Sequence, residues 1–135
     1  MSDKKINLLV VDDDEDIVLM MSDFLDVVEN AHLFSKTTSK SFEEALAVIN
    51  NQKIDVLITD ITLPGGSGML LAETLKKTNP DALVVIMSGW NNVAGTGEPS
   101  VKIDAYLKKP FEFDKFEEII NKIASSSKHS STLSK

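Results

Sequence analysis

The chain has 135 residues, with 21 acids against 14 bases and a net charge of −7. That length fits one domain with a substantial core, and the acidic balance lacks the electrostatic footprint of a nucleic-acid-binding surface or a basic membrane anchor. Every base is Lys, so no guanidinium fork is on hand for phosphate; the absence of Cys excludes disulfides and thiolate metal sites and agrees with a reducing, cytoplasmic setting.

Short apolar runs alternate with helical patterns along the chain, which predicts an α/β fold with a parallel sheet and helical crossovers. Residues 1–5 read as a polar N-terminal tail with no signal-type core behind it, and the longest apolar run, 82–87, is too short to span a bilayer. The first strand runs from Ile6 to Val11 and is followed by Asp12, Asp13 and Asp14. Ile17, Met20, Met21, Phe24, Leu25 and Val28 then recur with the spacing of a helix packed on a sheet. A second, weaker strand is predicted over 33–38, and Ser41-Phe42-Glu43-Glu44 reads as a capping box opening a helix through Ala45, Val48 and Ile49. The third strand ends at Asp60, ahead of the breaker-rich loop Leu63-Pro64-Gly65-Gly66, and Ser67 is expected to cap a helix holding Leu70, Leu71 and Leu75. The fourth strand covers 83–87. Residues 90–100 sit where a fourth helix belongs but contain Gly95, Gly97 and Pro99, so an irregular segment is expected there. Residues 105–107 form the last strand, Asp114 looks like a cap, and Phe116, Ile119, Ile120 and Ile123 give the last helix its apolar face. The domain body is expected over 6–124, and 125–135, with six Ser, as a disordered tail.

The chemistry gathers at one edge of this sheet. Asp60, the acids Asp12 to Asp14, Ser88 and Lys109 all follow strands directly, and in an open α/β sheet ligands bind in the crevice outside the carboxyl ends of the strands. Singly, each has an ordinary reading: acids at a helix start, an Asp before a Pro-Gly turn, a strand-end hydroxyl, a surface lysine. Their joint occurrence at one edge does not. His32, His129 and Trp90 are isolated and read as surface or loop residues.

The ordered set Val10-Val11-Asp12-Asp13, Asp60-Ile61-Thr62-Leu63-Pro64-Gly65, Ile86-Met87-Ser88-Gly89 and Tyr106-Leu107-Lys108-Lys109-Pro110-Phe111 resembles the receiver domain of two-component response regulators, of the chemotaxis-type single-domain kind. The resemblance implies a flavodoxin-like doubly wound five-stranded parallel sheet in order 2-1-3-4-5. It implies Asp60 as phosphoacceptor, Lys109 and Ser88 as its catalytic partners, Ser88 and Tyr106 as the switch pair, and a cis Lys109-Pro110 bond. It also implies Mg²⁺ held by Asp12, Asp13, Asp60 and the Thr62 backbone carbonyl. Asp14 stands where many receivers have Glu. The partners implied are a histidine kinase or histidine phosphotransfer protein and an output protein or effector domain, with no direct nucleic-acid or membrane contact. Phosphoryl acceptance and slow loss of the group would be self-catalysed, so no separate enzymatic activity is expected.

The chemistry of the residues agrees with this. Adjacent carboxylates repel by about 1 kcal/mol per pair at 4 Å in water and about 4 at an effective dielectric of 20, which favours a divalent cation among them. The alternative is a degenerate receiver serving as a phosphorylation-independent interaction module. A haloacid-dehalogenase-like phosphatase would need a second Asp where Thr62 stands, and a flavodoxin would need a phosphate loop where the three acids stand.

Overall fold

The computed structural model describes residues 5–89 and 102–133, with the side chains of 126–133 outside that description. Five strands form one parallel sheet: β1 (Ile6–Val11), β2 (Phe34–Ser39), β3 (Val56–Asp60), β6 (Leu83–Ser88) and β7 (Ala105–Lys108), in spatial order β2-β1-β3-β6-β7. This is the expected 2-1-3-4-5 order, because β4 (Thr62–Leu63) and β5 (Gly66–Ser67) form only a small antiparallel hairpin outside the main sheet. The helices are α1 (Glu15–Val27), α2 (Phe42–Asn51), α3 (Gly68–Thr78) and α4 (Phe113–Leu133). The irregular segment expected over 90–100, with Trp90, lies outside the described residues.

Side chains on a strand alternate between faces, so a sheet covered on both sides needs apolar residues at every position of its central strands. Leu8, Val10, Val56, Ile58, Val85 and Met87 pack on one face with Met21 and Leu25 of α1 and Phe116 and Ile120 of α4. Leu9, Val11, Leu57, Val84 and Ile86 pack on the other, with Ala45 and Ile49 of α2 and Leu71 and Leu75 of α3. The predicted α1 stripe holds throughout: Met21, Leu25 and Val28 are buried, and Ile17, Met20 and Phe24 pack against the same cluster. Phe24 also stands edge-on to Phe113, with ring centroids 5.1 Å apart, which ties α1 to α4.

Three expectations are adjusted by the structure. The second strand starts one residue later, at Phe34, because Ala31–Leu33 closes a 3-10 turn, with the Leu33 amide donating to the Asn30 carbonyl at 2.9 Å. The last helix begins at Phe113, and the amides of Lys115 and Phe116 donate to the Glu112 carbonyl, so Asp114 lies in the first turn instead of capping it. That helix also runs on to Leu133, past Ser125, where disorder was expected: Ser, Lys and Thr cost only about 0.7 kcal/mol or less each in a helix, and no Gly or Pro interrupts them.

Candidate functional site

β1 ends at Val11, and the chain turns into α1 through a run of acids. Asp12 is fully buried, and its Oδ1 accepts from the Asp14 amide at 2.9 Å. The Asp14 Oδ1 in turn accepts from the Asp16 amide at 3.0 Å, which makes Asp14 the N-cap of α1. Two of the three consecutive acids are thereby engaged by backbone, while Asp13 stays exposed.

β3 ends at Asp60, whose side chain is 17% exposed, and β7 leads into Lys109 and the cis Lys109-Pro110 bond expected from the sequence. The Lys109 amide donates to the Ser88 carbonyl at 2.8 Å, so the lysine is hung from the end of β6. Its Nζ lies 3.2 Å from Asp60 Oδ2, as expected, but nearer still, 2.6 Å, to Asp12 Oδ2. The shorter contact makes the buried Asp12 the nearer counter-ion of the lysine.

Burial pushes the Asp12 carboxyl above its ordinary pKa; the Lys109 ammonium and the Asp14 amide pull it back, and the Asp60 charge adds to the rise. Burial pulls Lys109 the other way, yet the two acids outweigh it and its pKa is raised, so the ammonium persists. One carboxylate oxygen each from Asp12, Asp13 and Asp60 lies within 4.8 Å of the others. Three carboxylates against one ammonium (−3 + 1) leave −2 when all are ionised. Within 4.8 Å of each other, any two of these ionised carboxylates repel by about 3.5 kcal/mol or more at an effective dielectric of 20. A donor set made only of hard oxygens and under-neutralised by its one ammonium fits a small divalent cation.

Ser88 is buried at the end of β6, and Tyr106 in β7 is 46% exposed. Thr62 is exposed and pairs with Ser67 across the hairpin. The hairpin's turn is Pro64-Gly65, with Gly65 at φ 85°, near the value a type II turn requires of its third residue and one that side chains resist. The Pro64 carbonyl accepts from the Phe42 amide at 3.1 Å, so the loop after Asp60 is tied to the start of α2. Sequence reasoning did not foresee Asp12 as the nearer partner of Lys109 or Asp14 as a cap. The Asp14-Glu15-Asp16 run is itself the signal of a helix start.

A doubly wound five-stranded parallel sheet carrying this cluster of acids and one lysine at its carboxyl edge defines a receiver-type α/β fold. Residues 8–121 match the response regulator receiver domain, and the chain belongs to that family. It is 32% identical over 111 residues to the regulatory protein VanR of Enterococcus faecium, covering 82% of this chain and 45% of that protein. Among solved structures it is similar to a response regulator receiver domain protein from Clostridium thermocellum, at 27% identity and TM-score 0.73, covering 90% of this chain and 96% of that one. It is also similar to the response regulator protein TrrA from Thermotoga maritima in complex with Mg(2+)-BeF, at 28% identity and TM-score 0.73, covering 86% and 96%. The chain spans 24% to 55% of the length of curated relatives it matches. No helix among the described residues is long and apolar enough to cross a membrane.

Proposed function

We propose that this chain accepts a phosphoryl group on Asp60 from a histidine kinase or histidine phosphotransfer protein, and that the modification switches its binding to an output protein or effector domain. The observation that carries this reading is the Asp60 carboxylate itself: it sits at the carboxyl edge with Oδ2 3.2 Å from Lys109 Nζ and clustered with Asp12 and Asp13. Phosphoryl transfer asks mainly for positioning and charge neutralisation, and a carboxylate is a competent nucleophile. One Asp60 oxygen forms the new O–P bond; the P–N bond to the donor's imidazole breaks, and its electron pair leaves with the ring, which takes up a proton.

Lys109 would hold charge first on the acceptor and then on a phosphoryl oxygen, and the Ser88 hydroxyl would donate to another. Tyr106, half in solvent, would turn inward as Ser88 engages. Asp12, Asp13, Asp60 and the Thr62 carbonyl would hold Mg²⁺. Bound there, the ion supplies neutralisation of the phosphoryl oxygens during transfer. The unit doing this is residues 6–124, working in the cytoplasm, and the chemistry of acceptance and slow release belongs to the domain itself.

Labelling with acetyl phosphate in Mg²⁺ tests the acceptor. Wild type is expected to gain hydroxylamine-labile phosphate and Asp60→Asn to gain none. Equal labelling of the variant would show that Asp60 is not the acceptor.

A further inference from the structure

We propose that Thr59 and Gly68 are positioning residues that grip the backbone carbonyl of Asp60 between them, and so fix the path from the Asp60 carboxylate to the Thr62 carbonyl. This rests on the reading of Asp60 and Thr62 given above. Thr59 is fully buried, and its Oγ1 donates to the Asp60 carbonyl at 2.9 Å. Gly68 closes on the same carbonyl as the first residue of α3: a Cβ there would stand 2.2 Å from Asp60 O, 2.9 Å from Thr59 Cγ2 and 3.1 Å from Thr59 Oγ1.

Gly is a poor helix former, and the φ of Gly68 is not of the left-handed kind, so conformational need does not explain it. The close approach does. The Gly68 amide also donates to the Ile61 carbonyl at 2.9 Å, and the Ile61 amide to the Met87 carbonyl at 3.1 Å. Ser67 caps α3 through its bond to the Leu70 amide and pairs with Thr62. A side chain at position 68 must therefore lift the start of α3 off Asp60 and carry Ser67 and Thr62 with it. Removing the Thr59 hydroxyl frees the same carbonyl from below.

Three variants separate this from a packing role. Thr59→Val keeps the buried shape and removes the donor, Thr59→Ser keeps the donor, and Gly68→Ala improves helix propensity, so a loss there is not a failure of the helix. Mg²⁺ affinity by titration calorimetry is the main readout, with acetyl phosphate labelling and urea unfolding alongside. Thr59→Val and Gly68→Ala are expected to bind Mg²⁺ about five- to tenfold more weakly, the worth of one positioned hydrogen bond. Both should also lower the unfolding midpoint, since one leaves the Asp60 carbonyl without its donor and the other sets a Cβ against it, whereas Thr59→Ser should match wild type in Mg²⁺ affinity. Wild-type affinity in Thr59→Val, or equal impairment of Thr59→Ser, overturns the proposal; if Gly68→Ala does not fold, the Thr59 pair decides alone. A wild type that labels no better than Asp60→Asn overturns the acceptor reading instead, while the Mg²⁺ comparison still judges the grip. A wild type that binds no Mg²⁺ overturns the grip as well, since no carbonyl ligand would then need placing.

Discussion

Lys109→Met tests the electrostatics of the cluster without touching a carboxylate. The Lys109 side chain is 17% exposed and its ammonium lies 2.6 Å from an acid that is wholly buried, so its removal leaves Asp12 without a counter-ion inside the fold. Breaking a buried pair by deleting one partner costs about 3–5 kcal/mol when the other stays charged. Asp12 has an escape, because its carboxyl is already raised above 3.8 by burial and would rise further in the variant. An acid whose folded pKa lies above its unfolded value stabilises fully below the unfolded value, and that stability is lost as pH rises through the folded pKa. The variant loses it at a higher pH than wild type, so the gap between the two narrows on the acid side. We expect Lys109→Met to be destabilised by about 3 kcal/mol at pH 7.5 and by clearly less at pH 5, measured by urea unfolding in EDTA. Asp12→Asn placed on top of it should recover most of the loss at pH 7.5, since a neutral amide needs no counter-ion. A variant as stable as wild type at pH 7.5, or a double variant no better than the single one, would refute the argument.

Mg²⁺ should raise the stability of wild type, by about 1.4 kcal/mol at ten times its dissociation constant, and calorimetry of Asp13→Ala should show much weaker binding. Gly65→Ala should lose about 1–2 kcal/mol in thermal unfolding, because Ala resists the left-handed φ of the hairpin turn; an unchanged midpoint would contradict the turn. Ser67→Ala removes the oxygen that accepts from the Leu70 amide and should cost about 1 kcal/mol by the same measurement, against no change if the cap is idle.

Much of the architecture was legible because the central strands are apolar over most of their length and the helices keep an apolar stripe. Residues such as Leu8 to Val11 and Met21, Phe24 and Leu25 announce a two-faced sheet before any coordinate is known. The placement of Asp60 and Lys109 followed from their strand ends and from the resemblance those motifs carry. Other features have no periodic signature. A hairpin with two residues on each arm is too short to show alternation, and the press of Gly68 on the Asp60 carbonyl is a meeting of backbones that side-chain patterns do not record. Asp114 looked like a cap because its residue type suits one, but the chain already turns at Glu112, whose carbonyl takes the first helical bonds. Lys109 was aimed at Asp60 alone because sequence gives no depth, and depth is what brings Asp12 closer.

The three acids after β1 divide their labour. Asp12 closes one ring onto the Asp14 amide and holds the lysine; Asp14 closes the next onto the Asp16 amide and starts the helix; Asp13 is left to face outward. Each ring is sized for the short side chain of Asp, so lengthening Asp12 or Asp14 by one methylene shifts the geometry of its neighbour as well. Charge-preserving replacement is therefore not a neutral exchange in this run, and the sensitivity to it should differ at every step: greatest at the buried end, least at the exposed middle.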